Sequence, residues 1–286
     1  TISHPDLAGP QSVIDQIRYN AEGRISRIDY RQGAFTDLTY DPATLFLSRI
    51  VSSAGDVALQ DMTMRFNGNG SITQIMDALS SRDPGFGHVA RDGEFRYDFK
   101  NQLVRIDRYG ETAEFGYSPS GTFTRNDEFA RGASLAATTG APTGLVPVGT
   151  AASPYTFDGF GQMASSPQVQ ATVFDAYGRL IRAETAAAQV LYGYDQTGRR
   201  TYKQIVPNDG SAPTLYLYPM QSFELGPQGA ESYVHIGEAR LVRMEHGTGR
   251  WFYYLKDHLE SSDYVIAADG VPVEQMLYRA YGTEHQ

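Results

Sequence analysis

The side chains with the most chemical potential are an adjacent acid and imidazole, Asp257 and His258, a recurring set of aspartates, and six histidines: His4, His88, His235, His246, His258 and His285. Consecutive residues along a strand point to opposite faces, so Asp257 and His258 are expected to act separately, one capping a turn and the other held by a hydrogen bond. No two histidines stand in the His-x-x-x-His spacing that turns a pair of imidazoles toward one metal ion. The aspartates would suit paired-carboxylate hydrolysis of glycosides. Each one, however, precedes a turn former at a fixed interval, and turn capping accounts for all of them together. Asn67-Gly68-Asn69-Gly70 lacks the acidic ligands of a calcium loop and reads as a type I′ hairpin turn. The sequence has no Gly-x-Ser-x-Gly element, no phosphate-cradling glycine loop and no cysteine, so disulfides and thiolate-bound metals are excluded. It offers no catalytic, cofactor-binding or metal-ligating residue and reads as a non-enzyme.

The aspartates belong to a repeat, and the repeat sets the architecture. Eight aromatic anchors, Tyr19, Tyr40, Phe66, Tyr97, Tyr117, Phe157, Phe174 and Tyr194, are each followed by a short polar residue: Asn20, Asp41, Asn67, Asp98, Ser118, Asp158, Asp175 and Asp195. Four residues past the anchor stand Gly23, Gly70, Gly121, Gly161, Gly178 and Gly198, with Asn101 and Thr44 as the exceptions. Asn tolerates the left-handed conformation that glycine adopts without strain. Thr44 falls in a unit that is one residue longer. Apolar residues recur two before the anchor (Ile17, Leu38, Met64, Phe95, Phe115, Tyr155, Tyr192) and six after it (Ile25, Phe46, Ile72, Leu103, Phe123, Met163, Leu180). Positions i and i+2 share a strand face, so each unit is a strand, an Asx/Gly turn and a second strand. A lone hairpin is marginal in water. Successive hairpins must therefore pair edge to edge, and the expected fold is all-β: tandem hairpins in a long, coiling antiparallel sheet, a partial shell.

Composition agrees. The 286 residues include 19 Tyr, 14 Phe and 29 Gly, which suit pleated strands joined by tight turns. With 24 Lys and Arg against 33 Asp and Glu, and no basic cluster, nonspecific nucleic-acid binding is not expected. No apolar run reaches the ~18 residues of a membrane-spanning helix. Thr1-Ile2-Ser3-His4-Pro5 resembles neither a signal peptide nor an initiation site, so the chain reads as a stretch of a longer polypeptide. Residues 1–202 are read as the hairpin repeats, interrupted near 131–154 by an Ala/Gly/Thr/Pro-rich insertion with one weak strand at Leu145–Val148. In residues 203–286 the spacing changes. Strands are expected at Thr214–Tyr218, Ser232–Ile236, Leu241–Glu245, Trp251–Leu255 and from Tyr264 onward, and no long amphipathic helix is expected anywhere.

Phe95-Arg96-Tyr97-Asp98, Val173-Phe174-Asp175-Ala176-Tyr177-Gly178-Arg179-Leu180 and Tyr192-Gly193-Tyr194-Asp195-Gln196-Thr197-Gly198-Arg199 resemble the YD repeat. That repeat occurs in bacterial Rhs proteins, the B and C components of insecticidal toxin complexes, and animal teneurins. Tyr253 to Gly282 resembles the start of the Rhs-associated core region, with Glu260 where the family's Asp-His-Leu-Gly-Ser element has Gly, and Ala280 where it usually has Pro. The Glu260 change is expected to alter that turn. The resemblance covers roughly residues 13–286.

It implies a hollow shell that encloses a toxic C-terminal polypeptide, with the core region plugging one end. It also implies secretion or cell-surface delivery, with the toxic domain, other shell segments and a delivery complex as partners. The family's autoprotease segment lies past the matched residues, so no protease residue is carried over. Eight hairpins are few for a whole shell by the family's standards. The rival reading is an extracellular adhesive or carbohydrate-binding module, in which the aromatic columns form a stacking platform. An exposed aromatic face would be a large apolar patch without a partner, which favours burial between turns of the sheet.

Overall fold

The computed structural model describes residues 2–4, 11–79, 91–130, 135–137, 145–147, 156–166 and 168–285. It is all-β in the expected manner, with strands that are neighbours in sequence pairing as neighbours in the sheet. Among the described residues the only helices are the single turn Asp127–Ala130 and the 3-10 segment Arg31–Gly33. No helix is long and apolar enough to cross a membrane. Of the insertion, Leu145–Pro147 pairs with Leu135–Ala137, which places the expected weak strand; most of the remainder, like Tyr155, lies outside the described residues.

The repeat columns are turn chemistry. After Tyr19, the Asn20 N–H donates to Arg24 O at 2.9 Å, the Gly23 N–H returns to Asn20 O at 3.1 Å, and Gly23 is left-handed at φ 77°. The same closure recurs at Asn67, Asp98, Ser118, Asp158, Asp175 and Asp195. It is a type I turn followed by one left-handed residue, with the bulge that geometry creates, such as the register shift at Arg18/Tyr19. Asn67–Gly70 therefore departs from the expected type I′ turn. Type I′ needs two left-handed central residues, and here Gly70 alone has positive φ. The polar side chain closes each loop. Asp175 Oδ1, for instance, accepts from the N–H groups of Tyr177 and Arg179, both at 2.9 Å. The Asp41 unit is one residue longer, with Leu45 in the left-handed place at φ 60°.

The 257–261 turn keeps the same geometry, contrary to the altered turn expected from Glu260. Asp257 N–H bonds Ser261 O at 2.9 Å, and Glu260 itself occupies the glycine position at φ 62°. The backbone hydrogen bonds and the Asp257 cap hold the loop, so the strain falls on Glu260. Glu260→Gly is expected to stabilise the fold by about 1 kcal/mol, read from denaturant midpoints, while Glu260→Ala, also left-handed, should bring no such gain.

A second device ties one hairpin to the next. The Tyr40 hydroxyl donates to Ile25 O at 3.0 Å, Tyr97 to Ile72 O at 2.8 Å, and Tyr194 to Leu180 O at 2.8 Å. Each acceptor is the residue six past the preceding anchor. Tyr at an anchor thus adds a repeat-to-repeat bond that Phe cannot make. Each of Tyr40→Phe, Tyr97→Phe and Tyr194→Phe should lower stability by about 0.5–1.5 kcal/mol by chemical denaturation. The anchors are half-buried rather than sealed, and Tyr19 is exposed.

The chain divides into two compact units: residues 1–115, 234–244 and 250–286 form the first, and residues 116–233 and 245–249 the second. In the first unit the main core joins Val13, Ile14, Ile28, Tyr30 and Leu59 from early strands to Val242, Tyr253, Leu255, Tyr264 and Ile266 from late ones. A neighbouring cluster holds Ile50, Met62, Met64 and Ile75. The strand Arg250–Lys256 is buried on both faces, with Tyr253 and Leu255 in the main core and Phe252 and Tyr254 packed against Val265. That explains why it is a continuous apolar run rather than an alternating one. In the second unit, strands from Ala171–Phe174 to Phe223–Gly226 pair in sequence order, and their residues are mostly half-buried.

Candidate functional site

The first unit contains a polar network built across strands that come from opposite ends of the sequence. Thr36, Ser52 and Gln60 stand directly opposite one another on three adjacent strands. All three are buried. Thr36 Oγ1 meets Ser52 Oγ at 2.9 Å, and Ser52 donates to Gln60 Oε1 at 2.6 Å. The Gln60 amide nitrogen then donates to Asp263 Oδ2 at 2.5 Å and to Lys256 O at 3.2 Å. Both are acceptors, which fixes the amide's orientation. At the near end the Tyr30 hydroxyl, raised above the usual tyrosine range by burial, bonds Thr36.

Arg91 completes the network. Its side chain is 4% exposed, and it donates through Nε to Asp77 Oδ2 and through Nη1 to Asp263 Oδ2, both at 2.6 Å. Nη2 donates to Leu59 O at 3.0 Å, and the guanidinium lies 5.2 Å from the Tyr264 ring centre. Burial pushes the Asp263 carboxyl up, against the pull of Arg91 and the Gln60 hydrogen bond. One cation and two carboxylates, each with partners, thus bolt Ser262–Ala267 to strands some two hundred residues earlier.

The last described residues dock beside this network. Tyr109, left-handed at φ 56°, donates its hydroxyl to Tyr278 O at 3.2 Å and stacks on His285 at 4.7 Å. Arg279 pairs with Glu111 at 3.3 Å, and Tyr281 meets Phe115 edge-on at 5.1 Å. Strands from the two ends of the sequence are thereby fastened by an ionic bolt, a shared apolar core and a terminal clasp.

A family model described as the teneurin YD-shell matches residues 55–285. The chain belongs to the teneurin YD-shell family. Solved structures carry the same fold. The Tc holotoxin pore of Photorhabdus luminescens superposes with a TM-score of 0.78 at 16% identity over 96% of this chain. A crystal structure of TcdB2–TccC3 gives 0.79 at 17% identity and 96% coverage, and the form without its hypervariable C-terminal region gives 0.78 at 17% and 96%. This chain spans 16% of the length of each of those chains. No curated protein matches it in sequence.

Within the YD shell, the residues singled out from the sequence take structural positions. Asp257 Oδ1 accepts from the N–H groups of Leu259 and Ser261 at 2.8 and 2.9 Å, the expected cap. The pair lies in the turn beyond the strand end at Lys256, so alternation along a strand does not separate the two side chains. His258 differs from expectation too: its Nδ1 is buried without a hydrogen-bond partner. Burial and the nearby Arg108 charge lower its pKa to about 4, so the imidazole is neutral at pH 7. His4 is described only as part of the strand Ile2–His4, and His88 lies outside the described residues. His235 is pushed below the usual histidine range by burial, and His246 Nε2 meets Ser232 at 2.7 Å. Among the described residues no group of three His, Asp or Glu side chains is placed to hold a metal.

Arg91, Gln60, Ser52 and Thr36 were missed in the sequence. One signal was present: Thr36 shares a strand face with Leu38 and Tyr40, and Gln60 with Met62, Met64 and Phe66, so both are polar residues on a core face. Arg91 stands in no repeat column.

Proposed function

We propose that this chain is a stretch of YD-shell wall that helps enclose a toxic C-terminal polypeptide, with residues 1–202 supplying hairpin wall and 203–286 leading into the segment that closes it. The carrying observation is the Arg91–Asp77–Asp263–Gln60 bolt. A binding module needs an exposed face, whereas a container needs its late strands held firmly against its early ones. The turn caps and tyrosine tethers serve the same end, a continuous hydrogen-bonded sheet that offers proteases little frayed backbone. TcdB2–TccC3, whose solved forms include one without a hypervariable C-terminal region, supplies the analogy for the cargo. On this reading the protein is secreted or displayed at the cell surface, its partners are the cargo and other wall segments, and its role is physical rather than catalytic.

Limited proteolysis of the native polypeptide carrying this stretch tests the idea. The polypeptide downstream of the shell should resist protease until the shell is opened by denaturant. Digestion of that polypeptide at the rate of the isolated domain would sink the proposal. The second reading, an adhesive or carbohydrate-binding surface, draws on the turn-tip rings of Phe99 and Phe160, each 92% exposed, and Tyr177. It requires saturable glycan binding by this chain that is lost in Phe160→Ala and Tyr177→Ala.

A further inference from the structure

Three arginines of the repeat reach from their own turn to the neighbouring hairpin. Arg24, Arg179 and Arg199 each stand four residues after the capping side chain, directly behind the left-handed glycine. Arg179 donates through Nε to Asp175 Oδ2 at 2.7 Å and through Nη1 to Asp195 O, in the next turn, at 3.1 Å. Its guanidinium lies 5.0 Å from the ring centre of Tyr177, at its own turn tip, and 5.1 Å from that of Tyr194, the next anchor. Arg199 pairs with Asp195 Oδ2 at 3.3 Å and donates to Pro219 O at 2.9 Å. Arg24 donates to Leu45 O and lies over the next anchor, Tyr40.

The Asp158 turn has the partners of such an arginine but carries Gln162 in its place. Asp158 Oδ1 accepts from the N–H groups of Phe160 and Gln162 at 2.8 and 2.9 Å, as Asp175 Oδ1 does from Tyr177 and Arg179. With one oxygen pinned alike in both turns, Oδ2 takes the same direction, and among the described residues nothing bonds it at Asp158. A cleft of about 410 Å³ in the second unit is lined by Asp158, Phe160, Gln162, Phe174 and Asp175. These are the counterparts of Asp175, Tyr177, Arg179, Tyr194 and Asp195. Asp175 O accepts the Gly178 N–H at 3.0 Å, as Asp195 O does that of Gly198 at 3.1 Å. A carbonyl has a second lone pair, and on Asp195 O it is the one that Arg179 uses.

We propose that this cleft binds an arginine side chain of another polypeptide, its guanidinium on Asp158 Oδ2 and Asp175 O and against the rings of Phe160 and Phe174. A guanidinium is planar and weakly hydrated, so it stacks on a ring while its fork reaches two acceptors. A lysine ammonium is compact and strongly hydrated and cannot do both. The Asp158 carboxylate would repel the α-carboxylate of free arginine, a charge that a peptide-borne side chain does not bring.

The test uses the whole chain and two capped peptides, acetyl-Gly-Arg-Gly-amide and its lysine counterpart. In 1H–15N spectra the arginine peptide should shift the amide resonances of Phe160, Gln162 and Asp175 saturably. Its affinity should be on the order of millimolar, about three- to tenfold tighter than that of the lysine peptide. Asp158→Asn removes the charge yet keeps the cap, as Asn67 Oδ1 caps its own turn at 3.0 Å, and should weaken binding about threefold or more. Gln162→Arg supplies the guanidinium from within, so it should raise Tm and abolish the response to the peptide. No saturable shift, equal affinity for the two peptides, or free L-arginine binding as tightly as the capped peptide would each overturn the assignment. So would undiminished binding in Asp158→Asn or Gln162→Arg.

Discussion

Arg91→Met is expected to destabilise the first unit by about 3–5 kcal/mol, the cost of leaving buried charges without their partner. Asp77 and Asp263 both face the guanidinium at 2.6 Å and are themselves almost fully buried. Methionine fills much of the same volume, so the loss should come from the two stranded carboxylates rather than from a cavity. The prediction separates from a simple packing defect by its dependence on charge. Asp263→Asn in the Arg91→Met background should recover part of the loss, because it removes one stranded charge while keeping an acceptor and adding a donor. Replacing Arg91, Asp77 and Asp263 together by well-packed apolar residues should come close to wild-type stability, since such triads often break even against hydrophobic replacements. Equilibrium denaturation of the four proteins checks this. If Arg91→Met unfolds within 1 kcal/mol of wild type, on the order of a surface pair, the bolt does not hold the closure.

Much of the wall was legible because it repeats. The polar residue after each anchor and the glycine three further on are local requirements of one turn, and a local requirement recurs wherever the turn does. Even Asn101 and the longer Asp41 unit followed from the left-handed position alone. Some local readings nevertheless failed. Asn67–Gly70 offered the glycines of a type I′ turn, but the repeat imposes a type I turn plus bulge. Glu260 was read as altering its turn, but neighbouring hydrogen bonds hold it left-handed in the usual geometry. The tyrosine tethers were hidden by treating Tyr and Phe as equivalent aromatics. The bolt was hidden for a different reason: Arg91, Gln60 and Asp263 meet only through tertiary closure, and no spacing along a chain encodes a contact across two hundred residues. His258 shows the same limit, since its lack of a partner is set by what surrounds it and not by the Asp257-His258 pair.

That histidine carries the second large effect. Stability is expected to fall by about 2 kcal/mol between pH 7 and pH 5 and by about 3 kcal/mol by pH 4, with the loss saturating below that. Above pH 6.5 His258 is neutral whether the chain is folded or not and contributes nothing. Below that, the unfolded imidazole takes up a proton, while the folded one, with its pKa lowered to about 4 by burial and by Arg108, does not. The unfolded state therefore binds more protons, and acid favours it. Carboxylates also shape the profile. Asp257 and Asp263 are raised by burial and oppose the loss as they protonate. Asp41, Asp175 and Asp195, lowered by their turn hydrogen bonds, add to it only below the ordinary aspartate range. His235, also lowered by burial, adds a loss of the same sign. Denaturant midpoints measured from pH 7.5 to 4.5 should show this decline in wild type and a much flatter profile in His258→Phe. A His258→Phe protein with the wild-type slope would place the acid sensitivity elsewhere, because a phenylalanine in that turn can no longer take up the proton that the unfolded histidine binds.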